Sequence, residues 1–167
     1  MKQQERPGFL ISRLAYLFRL RIEALLAEND CELSAEESAL LMVLVESGQP
    51  LRRGEFAEIM LRDKTTITRQ LDGLVAKGLV QRKQDPSDGR AFLIYPTSKG
   101  TRQINKILPA AKALRDSLKQ GLTAEEWEIG MKAMRQMKDN LIAMDSKKVT
   151  PTPQRVRQPE HTDKSTS

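Results

Sequence analysis

The sequence predicts a mainly α-helical fold carrying one small β-hairpin. Three observations predict it. Apolar residues recur every three or four positions through most of the 167 residues. That period breaks once, at two β-prone runs, 79–84 (LVQRKQ) and 91–96 (AFLIYP), which flank the turn sequence DPSDGR. Aromatics are scarce at 4% and charged residues reach 30%, with long stretches rich in Leu, Ala, Glu, Lys and Arg.

Residues 8–28 place Leu10, Leu14, Leu17, Phe18, Ile22, Leu25 and Leu26 in a long helix, more apolar than a lone surface helix requires. A second helix spans 35–47. Ser34 and Glu37 form a capping box at its start, and Gly48 and Pro50 end it. A short helix, 53–60, presents Phe56, Ile59 and Met60, and a turn at 61–63 leads into a helix over 64–77. There Asp63 caps the start, Gly78 suits the left-handed position past the end, and Ile67, Leu71, Leu74 and Val75 form one apolar stripe. After the hairpin, Thr97 caps a helix over roughly 98–120. Ile104, Ile107, Leu108, Ala111, Leu114 and Leu118 should face inward there, and Pro109 should kink it. A last helix carries Trp127, Met131, Met134, Met137, Leu141 and Met144, a packing seam rather than a metal site. Residues 146–167, with three prolines and few large apolar side chains, cannot bury a core and are expected to be a disordered basic tail.

The charge is uneven. The chain carries +6 overall, yet residues 1–51 sum to −3, whereas 52–90, 91–145 and 146–167 each sum to +3. A basic middle is the footprint expected for a polyanion partner. One cysteine, Cys31, gives no internal disulfide framework. No run approaches the ~20 apolar residues that span a bilayer, and no signal peptide is evident, so a soluble, cytoplasmic protein without membrane partners is expected. The only histidine, His161, lies in the tail, and no nucleophile–base or metal-ligand constellation exists. Neither enzyme activity nor a cofactor is expected.

Two short helices joined by a tight turn, followed by a hairpin, make a winged helix-turn-helix. This explains the opening of the 64–77 helix, KTTITR, which carries three threonines where better helix-formers would serve. A helix enters the DNA major groove with its N-terminal residues toward base edges. Thr65, Thr66 and Thr68 are short enough for close approach and offer a hydroxyl and a methyl. Arg69 can reach guanine O6 and N7 as a bidentate donor. Lys64 and Arg62 are placed for phosphate. Asp72, one turn beyond Arg69, either orients it or is a solvated surface carboxylate. At the wing tip Arg90 can enter a minor groove, with Asp88 as a bidentate partner of its guanidinium.

The run FAEIMLRDKTTITRQLDGLVAKGLVQRKQDPSDGRAFLIYPTSKG resembles the MarR family of bacterial transcriptional regulators, and the resemblance extends over roughly 8–145. It implies a homodimer with an N-terminal dimerisation helix (8–33), a DNA-binding lobe (34–97) and C-terminal dimerisation helices (98–145). It also implies a palindromic duplex DNA operator, Thr65, Thr66, Thr68 and Arg69 on the recognition helix, and Asp88 and Arg90 as the wing pair. Many relatives release DNA when a small phenolic or other anionic compound binds, and repression is the default. Others sense oxidants through a cysteine. Here Cys31 lies among Asn29, Asp30 and Glu32, a setting that disfavours a thiolate. Two positions depart from the family pattern: Gly89 stands where the wing often has a first arginine, and Leu61 where the turn often has glycine. Redox regulation through Cys31 and architectural DNA binding with little sequence choice are the alternatives.

Overall fold

A computed structural model of the chain describes residues 6–144, so the expectations for the 146–167 tail and for His161 lie outside the described residues. Nine elements follow in order: α1 (Pro7–Glu28), α2 (Ala35–Glu46), β1 (Leu51–Arg52), α3 (Arg53–Met60), α4 (Lys64–Ala76), β2 (Val80–Asp85), β3 (Asp88–Pro96), α5 (Ser98–Ser117) and α6 (Ala124–Met144). The six helices match those read from the sequence. The caps do too. Ser34 and Glu37 exchange both bonds of the capping box at 2.9 and 3.1 Å. The Thr97 hydroxyl accepts from the Gly100 amide at 3.1 Å. α5 continues through Pro109.

The chain forms two compact units, residues up to Thr123 and those from Ala124. In the first, one face from each of α2, α3, α4 and α5 meets the inner face of the sheet. Leu40, Leu41, Leu44, Phe56, Ile67, Leu71, Leu74, Ile94, Ile104 and Ile107 are all at most 2% exposed. Burying a side chain of this size contributes about 1.5–3 kcal/mol, so this cluster fixes how the helices stand. α5 seats tightly at Gly100, where an added Cβ would lie 2.1 Å from the Leu79 carbonyl oxygen.

The sheet has three strands, in the order β1-β3-β2, rather than the two expected. β1 pairs Leu51 with Ile94 and Arg52 with Leu93, and β2 pairs Val80 with Pro96 through to Gln84 with Phe92. Two residues carry no periodicity, so β1 exists only through its partner strand. Val75, expected in the stripe of α4, lies at its margin and is 38% exposed. Leu108 and Leu118, expected to face inward from α5, are exposed as well among the described residues.

α1 buries only Leu25 and Leu26, near its C-terminal end. Phe9, Leu10, Leu14, Leu17 and Phe18 are exposed along its length. α6, the second unit, buries no residue, and Met134, Met137, Leu141 and Met144 of its apolar stripe are exposed. No helix among the described residues is long and apolar enough to cross a membrane.

Candidate nucleic-acid interface

α4 presents the sequence KTTITRQLDGLVA with Ile67, Leu71 and Leu74 against the core. Helical geometry then turns Lys64, Thr65 and Arg69 outward, and all three are exposed. The threonines have separate local roles. Asp63 caps the helix, accepting the Thr66 amide at 2.8 Å and the Thr66 hydroxyl at 2.6 Å. Those two bonds hold the Asp63 carboxyl below its ordinary range. The Thr68 hydroxyl donates back to the Lys64 carbonyl at 2.7 Å. The hydroxyl protons of Thr66 and Thr68 are thus committed locally, and the Thr68 oxygen also accepts from Arg53 Nη1 at 3.3 Å. The Thr65 hydroxyl has no partner among the described residues, and neither do the charged groups of Lys64, Arg62 and Arg69.

The turn before α4 passes through Leu61 at φ 49°, ψ 47°. This is the left-handed region that glycine tolerates best. The Arg62 amide then donates to the Ala57 carbonyl at 3.0 Å, closing the turn that sets α3 against α4. The unusual leucine leaves the helix-turn-helix intact.

The far end of α4 is anchored three ways. The Lys77 ammonium donates to the Glu32 carbonyl at 3.0 Å and the Glu37 carboxylate at 2.7 Å. The Lys77 carbonyl accepts from the Lys99 ammonium of α5 at 2.8 Å. Partial burial alone would raise the Glu37 carboxyl, but hydrogen bonds from Lys77 and Ser34 outweigh it and hold it low. Gly73 admits this carboxylate, since a Cβ there would meet Glu37 Oε1 at 3.0 Å. Gly78, at φ 68°, turns the chain into β2.

Two expected pairings differ. Asp72 does not orient Arg69. It accepts from Arg82 of β2 at 2.5 Å, joining α4 to the stem of the wing. Asp88 does not hold the Arg90 guanidinium. Its Oδ1 accepts the Arg90 backbone amide at 3.0 Å, because the two-residue offset across a tight turn brings the amide closer than the side-chain end. The wing is instead secured by a group the sequence reading missed. Asp85, 5% exposed, accepts from Arg52 Nε at 2.7 Å, from the Ser87 amide at 2.8 Å and from the Ser87 hydroxyl at 2.7 Å. Arg52 also donates to the Ser87 hydroxyl at 3.0 Å. The Ser87 bonds, with Arg52 behind them, lower the Asp85 carboxyl to about 2. Arg52 and Asp85 are 33 residues apart, and they meet because β1 and β2 both pair with β3.

Two clefts flank α4. One, of about 520 Å³, runs between α4 and the start of α2 and brings Arg62, Thr66 and Arg69 together. The other, of about 630 Å³, lies between α3, α4 and the wing, and is lined by Arg52, Arg53, Thr68, Arg82 and Arg90 among others. The basic residues therefore sit on both sides of an exposed helix edge. Cys31 is far from this arrangement in character: it is 7% exposed and part of the core cluster.

Residues 33–92 match the family model described as MarR family. Among curated proteins, the transcriptional regulator HosA of Escherichia coli O111:H- is 28% identical over 80 residues, 48% of this chain and 59% of HosA. The match thus spans less than two thirds of that relative. Among solved structures, a single-substitution mutant of MarR from E. coli complexed with operator DNA superposes with a TM-score of 0.65 at 22% identity, covering 82% of this chain and 99% of that one. BpsR of Bordetella bronchiseptica, whose DNA binding is regulated by 6-hydroxynicotinic acid, superposes with a TM-score of 0.73 at 21% identity, covering 83% and 97%. The matched segment holds the helix-turn-helix and all but the last four residues of the wing, the rest of the fold follows the same plan, and the chain is thus similar to the MarR family in this segment and in its fold.

Proposed function

We propose that this chain is a sequence-specific DNA-binding transcriptional regulator that acts as a homodimeric repressor on a palindromic operator. One observation carries the reading: α4 buries Ile67, Leu71 and Leu74 while its opposite edge offers Thr65 and Arg69 to solvent, with Arg62 and Arg90, which have no carboxylate partner among the described residues, on either side. Thr65, with Thr66 and Thr68, would meet base edges, and Arg69 would read guanine. Lys64 and Arg62 would hold phosphates, and Arg90, its loop shaped by Asp88, would enter the minor groove. The operator complex of the E. coli relative supports this reading.

The dimer would be formed by residues 8–33 and 98–145. The exposed apolar faces of α1 and α6 support it, because a second copy would remove them from water and supply the two-fold axis of a palindrome. A small phenolic or other anionic compound would release the operator; regulation of BpsR by 6-hydroxynicotinic acid supports that class. Burial of Cys31 favours ligand control over oxidant sensing.

The test begins with fragments selected from genomic DNA by the protein, followed by shift assays on operator and scrambled duplexes. Arg69→Ala should lose about 1–3 kcal/mol of discrimination, roughly 5- to 150-fold, while Arg90→Ala weakens both duplexes evenly. Equal affinity of the parent for operator and scrambled DNA would leave only architectural binding.

A further inference from the structure

We propose that the cleft between α4 and the wing is a track for one DNA strand's phosphodiester backbone, with Arg53 as its principal contact. The inference rests on the DNA-binding reading above and adds a residue that reading did not contain. Four guanidinium groups line this cleft. Two are committed elsewhere: Arg52 to Asp85, and Arg82 to Asp72. Arg53 and Arg90 have no carboxylate partner among the described residues. Arg53 opens α3, and its Nη1 reaches across the turn to donate to the Thr68 hydroxyl of α4 at 3.3 Å. That bond uses one of its five N–H donors and leaves the rest of the fork for an anion.

The floor of the cleft is open at Gly54, where an added Cβ would meet nothing within 4 Å. The Glu55 carboxylate, which would oppose an anion, is turned back to accept the Arg52 amide at 2.6 Å. Glu58, on the same rim, is the remaining acidic group of the lining. A phosphate held by Arg53 is thereby joined through Thr68 to the recognition helix, so a backbone contact would help set the register in which α4 reads bases. Arg62, in the opposite cleft, would hold the other strand, which is the disposition a major-groove helix between two backbones requires.

The experiment measures affinity of the full-length protein for operator and scrambled duplexes over a salt series. Each protomer neutralises one phosphate through Arg53, so in Arg53→Gln the slope of log K against log salt should fall by about 0.9 per protomer, nearly two for a dimer, with the same fold loss on both duplexes. Glu58→Gln should tighten binding to both. Arg53→Lys keeps the charge and should restore the slope with operator preference unchanged, and it also serves if the glutamine variant fails to fold. An unchanged slope in Arg53→Gln, with Arg69→Ala and Arg90→Ala behaving as described, overturns the track and leaves the DNA-binding reading standing. Loss on the operator alone overturns it as well, since Arg53 would then be reading a base. Insensitivity of all three arginines would defeat the DNA-binding reading itself.

Discussion

Gly100→Ala should destabilise the protein, although general helix propensity predicts the opposite. Gly100 is the third residue of α5, and alanine is ordinarily worth about 0.8–1 kcal/mol over glycine in a helix. Here a Cβ would lie 2.1 Å from the Leu79 carbonyl oxygen, 3.0 Å from its carbonyl carbon and 3.3 Å from Leu41 Cδ1. None of these yields easily. The carbonyl accepts the Thr97 amide at 3.0 Å and the Thr97 hydroxyl at 3.2 Å, and Leu41 is fully buried. Relief requires α5 to lift from the junction of α4 and β2. Overpacking of this kind costs about 1–3 kcal/mol, and a weakened hydrogen bond adds about 0.5–1.5 kcal/mol. After the helical gain, a net loss of about 1–3 kcal/mol remains, or roughly 2–12 °C in Tm for a chain of this size. Thermal and urea unfolding followed by far-UV circular dichroism, at fixed protein concentration, would measure it. Gly130→Ala is the internal control: it lies within α6, its added Cβ meets nothing within 4 Å, and stability should rise by up to about 1 kcal/mol. A Gly100→Ala protein as stable as its parent would refute the close approach.

Asp85→Asn should remove an acid transition. Because the folded carboxyl sits at about 2, below its ordinary 3.8, its ionised form stabilises the wing above about pH 4, and that contribution fades as pH falls toward 2. The urea midpoint of the variant should therefore vary less over that interval, and identical pH profiles would contradict the assignment. Leu61→Gly should be neutral to stabilising by up to about 1 kcal/mol, since the left-handed conformation costs an L-residue about 1–2 kcal/mol and glycine's extra chain entropy offsets about 0.4–1. Leu61→Ala keeps a Cβ and should not share the gain; equilibrium unfolding of both variants decides. Leu14→Glu, on the exposed stripe of α1, should shift sedimentation toward a monomer at micromolar concentration and weaken operator binding together. A dimer that persists would place the interface elsewhere.

What could be read from the sequence was local. Ser34, Asp63 and Thr97 announced helix starts because a capping side chain and its amide lie within three residues of each other. Ile67, Leu71 and Leu74 announced a buried face by spacing alone. What escaped was set by residues distant in the chain. β1 is too short to show a pattern. Arg52 stands at the first turn of a helix yet points to Asp85, and nothing in either neighbourhood signals the other. Asp72 had two cations in range, Arg69 on its own helix and Arg82 on the strand, and only the packing of α4 on the wing selects between them. Arg53 was passed over for the same reason: its meeting with Thr68 depends on the angle between α3 and α4.

The clamp around Lys77 makes α4 a lever. Its rear is tied to the loop after α1, to α2 and to α5, whereas its front carries Thr65 on an open edge. Thirteen residues at about 1.5 Å each give an arm of about 20 Å. A tilt of about 5° at that fulcrum carries the leading threonine nearly 2 Å, several times the tolerance of a hydrogen bond. Slight shifts of Glu37 or Lys99 are therefore magnified at the Thr65 end of the helix.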